Sequence, residues 1–412
     1  MVARDRGWSA VDNLRVIGPF DGVSVAGLRG ALAALHAAAP GQAAVSRLDR
    51  GKARWVPVSA ADFAGFAERL VVPVAGAGPS AADAVTRALV DEPLGERPLL
   101  LVVADGFVGA KISHVLGDGR IVNTLFPELV RAAVAGRVPQ LPFPAPTRLP
   151  ILRAGLAHFG RHPGRLAGAL RVLRPPVGSD EPTASWLPDV RYRSVRSATA
   201  LPAVRAFRDR YAPGRSAAAI LFAATPVALA RAGIPVKWPG AVVLVDSRRY
   251  LPAGGTVAGN FSFGQYLRPA DPTDPGAVHE ALTAELASGR PLAMLTLRTA
   301  RLALRPGFPV AAPRPERVPE QPRAELTLTH IGRLDAYTDL PWTGPEPGYR
   351  NISVPTTSGP EAVTVSFSEM LGALYVNVSY HGSTFDPDRV EAAAGLLCHD
   401  PVGLINSTVD SP

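Results

Sequence analysis

The chain has 412 residues, 47% apolar and 19% charged, which excludes wholesale disorder and supplies side chains for more than one packed interior. Its 43 Lys and Arg against 35 Asp and Glu give +8, yet only Lys52, Lys111 and Lys237 are lysines and aromatics are 7%, so the basic-plus-aromatic footprint of nucleic-acid binding is missing. The lone Cys398 excludes an intrachain disulfide and a cysteine-rich metal site, and Met1 to Leu14 has no continuous apolar run like that of an export signal, so a cytoplasmic protein is expected.

In chain order, Asn13 to Phe20 reads as a strand. Val25, Leu28, Leu32 and Leu35, three or four apart, predict a helix from Val23 to Ala39 that Pro40 stops. Two short strands, Ala43 to Leu48 and Ala53 to Val58, flank the turn Asp49-Arg50-Gly51, and Ala81 to Leu89 returns to helical spacing. The apolar run Leu99 to Val103, the turn Asp105-Gly106 and Phe107 to Ile112 predict a hairpin of buried strands. A polar loop follows, Ser113-His114-Val115-Leu116-Gly117-Asp118-Gly119, and then a helix from about Ile121 to Val134.

Between Gly136 and Pro182 prolines are frequent and Arg153, Arg161, Arg165, Arg171 and Arg174 accumulate, as in a crossover between two halves. Ile151 to Leu173 reads as one basic amphipathic helix, either a solvated face or a docking surface for an acidic partner. The second half restarts with a strand at Val190 to Val195, helices at Leu201 to Tyr211 and Ala217 to Ala232, and a strand at Val242 to Val245. Asp-Pro pairs at 274/275 and 386/387 open helices running to Ala287 and Leu397. Strands are expected at Glu325 to Ile331, Ala362 to Phe367 and Ala373 to Tyr380. The most apolar stretch, Ser216 to Ala230, is shorter than the ~20 residues that cross a bilayer, so no membrane span is expected.

Chemistry concentrates at His114 and Asp118, four apart in a loop between a buried strand and a helix, with Gly117 and Gly119 flanking the aspartate. With an ordinary pKa near ~6.5, a histidine held there can accept a proton at neutral pH, the role of a general base. The alternatives are a structural histidine paired with a charge and a metal ligand; the latter lacks a third ligand nearby in sequence, and no metal is expected.

The segment from Pro98 to Gly119, a hairpin ending in His-Val-Leu-Gly-Asp-Gly, resembles the His-x-x-x-Asp-Gly signature of the acyltransferase superfamily that contains chloramphenicol acetyltransferase, nonribosomal peptide condensation domains and polyketide-associated acyltransferases. The order of the remaining segments is similar too. The strand and helix at Val16 to Ala39 match the family's opening, Val245-Asp246-Ser247-Arg248 and Gly259-Asn260 match its later motifs, and Leu328-Thr329-His330-Ile331-Gly332 is a weaker echo. The resemblance covers most of the chain.

It implies an α/β (α+β) fold of two chloramphenicol-acetyltransferase-like halves set as a V around a substrate tunnel. These halves would span 1–175, with the crossover from about 136, and 176–412. His114 would be the base that deprotonates a small-molecule hydroxyl or amine attacking a thioester, without an acyl-enzyme. Asp118, Gly119 and Arg248 would support the loop, with Arg249 as the fallback partner for Asp118. Ser113, Gly259, Asn260 and His330 would face the tunnel, and Thr329, Ser366 and Ser368 are further candidates for the oxyanion donor. The co-substrate would be an acyl-coenzyme A or a phosphopantetheinyl acyl carrier protein, with no bound cofactor. Two departures bear on the subtype: Ser113 stands where condensation domains carry a first histidine, and the plant-type Asp-Phe-Gly-Trp-Gly motif is absent. A non-catalytic recruitment module, or a cyclising or epimerising enzyme on the same scaffold, are the rival readings.

Overall fold

The computed structural model describes residues 1–78, 80–141, 147–160, 162–170, 181–305, 307–309, 315–355, 357 and 359–409. It is a mixed α/β fold organised on two main sheets. The first has five strands, ordered Arg350–Val354, Asp12–Gly18, Phe107–Ser113, Leu99–Ala104 and Val71–Pro73. All are antiparallel neighbours except the last pair.

Every residue of Leu99–Ala104 and Phe107–Ser113 is buried, which explains their unbroken apolar runs: helices cover this sheet on both faces. The turn between them puts Asp105 at φ 39 and Gly106 at φ 78, the two left-handed residues of a tight hairpin. Lys111 is tolerated within the buried strand because its Nζ donates to the Leu89 and Glu92 carbonyls, where the helix Ser80–Asp91 ends.

The second sheet has six strands, ordered Ser262–Leu267, Ala241–Asp246, Glu325–Arg333, Ala362–Met370, Ala373–His381 and Val190–Ser197. The helix Ala217–Arg231, the most apolar of the sequence, packs into its core with Pro387–His399; among the described residues no helix is long and apolar enough to cross a membrane. The first sheet draws its edge strand, residues 350–354, from beyond the expected division at 175/176, so the chain returns to that sheet after building most of the second.

Most predicted elements appear within a few residues of their expected bounds, and the differences have local causes. The expected single helix from Ile151 to Leu173 is instead two, Pro150–Phe159 and Gly164–Ala169, separated by Gly160 and Pro163. Proline cannot continue a helix, and glycine propagates one poorly. Of the arginines of that basic stretch, Arg153 and Arg165 are exposed, while Arg161, Arg171 and Arg174 lie outside the described residues. Several elements were not expected, among them the helices Ala60–Leu70, Arg290–Ala303 and Pro401–Val409 and the strands Val71–Pro73, Ser262–Leu267 and Arg350–Val354.

Candidate active site

His114 follows directly on the buried strand Phe107–Ser113, and four residues later Asp118 takes the N-cap position of the helix Gly119–Ala135. An N-cap aspartate ordinarily accepts from the first turn of its own helix. Asp118 makes no such bond and turns to the second half of the chain instead. Its Oδ2 accepts from Arg248 Nη1 at 2.8 Å and its Oδ1 from Arg248 Nη2 at 3.3 Å, a forked, buried ion pair. The Phe261 N–H, at 2.9 Å, and the Ser262 hydroxyl, at 3.3 Å, also donate to Oδ2. Arg248 uses its remaining donors on the carbonyls of Val257 and Gly259 and on Asp246 Oδ1. The histidine loop of one half is thereby tied to the segment 246–262 of the other.

Asn260 completes the tie. It is fully buried, and its Nδ2 donates to the His114 carbonyl at 2.7 Å and to Asp5 Oδ1 at 3.1 Å, while its backbone N–H donates to the same Asp5 oxygen at 2.8 Å. Gly259 holds φ +84, and a Cβ there would meet the Asp5 carboxylate at 2.8 Å, so both its conformation and its neighbour call for glycine. Gly117 is constrained by its neighbour alone, since a Cβ would meet the Ile121 side chain at 2.6 Å. Gly119 is not: a Cβ there meets nothing within 4 Å, and its φ is not positive.

His114 is 8% exposed. Burial holds its pKa below the ordinary histidine value, and the Asp118 carboxylate opposes that shift. The neutral, proton-accepting form is therefore favoured at neutral pH. Ser113 is fully buried, with its Oγ lacking a hydrogen-bond partner among the described residues. His330 is exposed on the strand Glu325–Arg333, at a β-bulge, and no hydrogen bond joins it to His114 among the described residues. Ser366 and Ser368 are buried within the second sheet, Ser368 accepting from Asn351 Nδ2 at 3.1 Å.

The N-terminal residues, which carry no sequence motif, are part of this site. The indole of Trp8 stacks on the His114 imidazole, with ring centroids 4.2 Å apart and planes 9° from parallel, and the Arg298 guanidinium lies 4.8 Å from the same indole. Arg298 also donates to the Gly7 carbonyl, Arg6 donates to the Arg305 and Gly307 carbonyls beyond the helix Arg290–Ala303, and Arg4 donates to the Ala258 carbonyl. Asp5 is buried beneath. Desolvation pushes its carboxyl up to about 6, against the pull of Arg4 and the Asn260 donors.

Because this folded-state value lies above the unfolded one of ~3.9, the contribution of Asp5 to docking the segment is complete below pH ~4 and is lost as pH rises through about 6. Hydrogen exchange of residues 2–11, corrected for intrinsic rates, is expected to rise between pH 5 and 7.5 in the wild type and to be pH-independent in Asp5→Asn. Equal protection at both pH values in the wild type would refute this.

A cavity of about 1340 Å³ adjoins the loop. Val115, Leu116, Ala258, Gly259 and Asp5 form its wall on that side, and the helices Pro150–Phe159 and Arg290–Ala303 form much of the rest. The His114 ring is not itself on the wall. No group of three or more His, Cys, Asp or Glu stands close enough to hold a metal among the described residues.

In overall shape the chain follows several solved structures. It superposes on the condensation domain of the Monacolin K polyketide synthase MokA with a TM-score of 0.62 at 15% identity, covering 99% of this chain and 96% of that one. The chain has a condensation-domain-type fold. The trichothecene 15-O-acetyltransferase of Fusarium sporotrichioides gives 0.57 at 12% identity over 98% and 91% of the two chains. The epimerization domain from the third module of tyrocidine synthetase B gives 0.54 at 13% over 99% and 94%. No protein-family model matches the sequence, and no curated protein matches it. At these identities the likeness establishes the chloramphenicol-acetyltransferase-like fold and leaves the chemistry to the site.

Proposed function

We propose that the chain is an acyltransferase in which His114 is the general base. The imidazole takes the proton from a small-molecule hydroxyl or amine as its oxygen or nitrogen bonds to a thioester carbonyl carbon. When the tetrahedral adduct collapses, the C–S bond breaks and the proton passes to the leaving thiolate of coenzyme A or of a phosphopantetheinyl carrier protein. No acyl-enzyme forms. The observation that supports this reading most is the pairing of a buried histidine, biased towards its neutral form, with a loop clamped by the forked Asp118–Arg248 ion pair beside a large cavity. Asp118 is a positioning residue here, because its oxygens are committed to Arg248, Phe261 and Ser262.

A second reading has specific support. Trp8 covers His114, and the same fold serves condensation and epimerization domains, so a condensation-like recruitment module, or an epimerising or cyclising enzyme, is the competing assignment.

Free-thiol release from a panel of acyl-coenzyme A thioesters and acyl carrier proteins, with pooled alcohols and amines, separates the two. The acyltransferase reading expects release that requires an acceptor. Cys398 is fully buried with its thiol pushed up to about 12, so it adds little background in the folded protein. Acceptor-independent release, or none across a broad donor panel, moves the assignment to the second reading.

A further inference from the structure

The cavity beside the histidine loop has a chemical polarity of its own. Its wall is apolar nearly throughout, and among the described residues only Arg4 and Asp5 bring charge to it. Both sit beside the histidine loop, where Asp5 accepts from Asn260 and Arg4 donates to the Ala258 carbonyl, next to the residues that hold His114. The rest of the wall, made by Trp55, Ile151, Phe159, Leu292 and Leu297 among others, carries no charged side chain among the described residues. Leu152 and Leu156, also wall residues, are 55% and 62% exposed, so their apolar side chains are left without packing partners over much of their surface. At about 1340 Å³ the space exceeds the ~300–1,000 Å³ usual for compact small-molecule sites.

We propose that this cavity seats a long aliphatic chain of a substrate, with the substrate's polar end at Arg4 and Asp5 towards His114. This deepens the acyltransferase reading and rests on it for the direction of the chain. The chain belongs either to the acyl group of the donor or to a lipophilic alcohol acceptor; both present the same row of methylenes. The binding itself needs no turnover, so it can be measured whether or not the protein transfers acyl groups.

Gly155 makes the test clean. It lies within the helix Pro150–Phe159 and on the cavity wall, and a Cβ added there meets no atom within 4 Å. A side chain at this position projects into free space, and replacing glycine within a helix favours the fold. Equilibrium dissociation constants would be measured by calorimetry for acetyl-, octanoyl-, decanoyl- and dodecanoyl-coenzyme A and, separately, for 1-octanol, 1-decanol and 1-dodecanol.

The expected result is an affinity that tightens about fourfold per added methylene in at least one series, the ratio set by burying a CH₂ in an apolar site. Dependence in the thioester series places the chain on the donor, and dependence in the alcohol series places it on the acceptor. Gly155→Phe is expected to weaken the twelve-carbon member of that series at least tenfold while Gly155→Ala leaves it within about twofold, both with unfolding midpoints at or above wild type. Affinities independent of chain length in both series, or unchanged long-chain binding in a folded Gly155→Phe, would overturn the proposal. Chain-dependent binding without any thiol release would retain the site and remove the transferase reading.

Discussion

Asp118→Ala is expected to lower the free energy of unfolding by about 3–5 kcal/mol, the cost of taking its buried partner from a buried charge that keeps only the half-exposed Asp246 beside it. The side chains of Asp118 and Arg248 are 4% and 6% exposed, so water cannot replace either one. Removing the carboxylate also strands the Phe261 N–H, which has been donating to Oδ2. Arg248→Lys should recover little, because an ammonium cannot fork across both carboxylate oxygens while also reaching the Val257 and Gly259 carbonyls. Asp118→Ala combined with Arg248→Met should cost less than the sum of the single changes, since the pair leaves together. Denaturant midpoints of the wild type, the three single variants and the double variant measure this. A single-mutant loss under about 0.5 kcal/mol would show that the ion pair does not hold the two halves of the chain at this loop.

His114→Ala is expected to reduce acceptor-dependent thiol release by about 10²–10⁴-fold, the usual worth of a positioned general base. Stability should change far less than in Asp118→Ala, because the ring makes a stack with Trp8 but no salt bridge. The pH profile carries the sharper signature. Burial lowers the His114 pKa, so the acid limb of the rate should fall below the ~6.5 of a free histidine. The same shift has a consequence for folding: the neutral ring is preferred in the folded state, so its contribution to stability is present at neutral pH and is lost on acidification. A profile with its acid limb above pH 7, or full activity in His114→Ala, would remove His114 from the base role.

The fold was legible where the sequence repeats one physical demand many times. The hairpin of Leu99–Ala104 and Phe107–Ser113 announces itself because both strands are buried on both faces and the Asp-Gly turn fits one geometry. Arg290–Ala303 was not expected although Leu292, Leu295 and Leu302 keep helical spacing, and its Arg298 reaches Gly7 and Trp8. Arg350–Val354 is short and carries Asn351, a polar residue fully buried because it accepts from Arg15 and donates to Ser368. No pattern in five residues reveals partners so far away in sequence.

The site divides in the same way. His114, Asp118, Arg248 and Asn260 fall together in space, and each sits in a short stretch with a recognisable neighbour in sequence. Trp8 and Asp5 do not. Nothing local marks an indole that will lie on an imidazole more than a hundred residues later, or a carboxylate that will meet Asn260. A faint signal existed in the density of Arg4, Asp5, Arg6 and Trp8 within five residues, which suits contacts to distant groups better than it suits an unstructured end.

The late return of residues 350–354 to the first sheet has a consequence for biosynthesis. The strand Asp12–Gly18 can pair with Phe107–Ser113 soon after both leave the ribosome, but its other edge stays open until about 240 more residues have been made. At roughly 5–20 residues per second that is an interval on the order of tens of seconds. Throughout it, Val16 and Ile17 lie on a strand with free backbone donors and acceptors, the kind of edge on which nascent chains aggregate. A protein truncated before residue 350 would keep that edge permanently, so its yield in the soluble fraction, rather than its activity, is where the missing strand would first be felt.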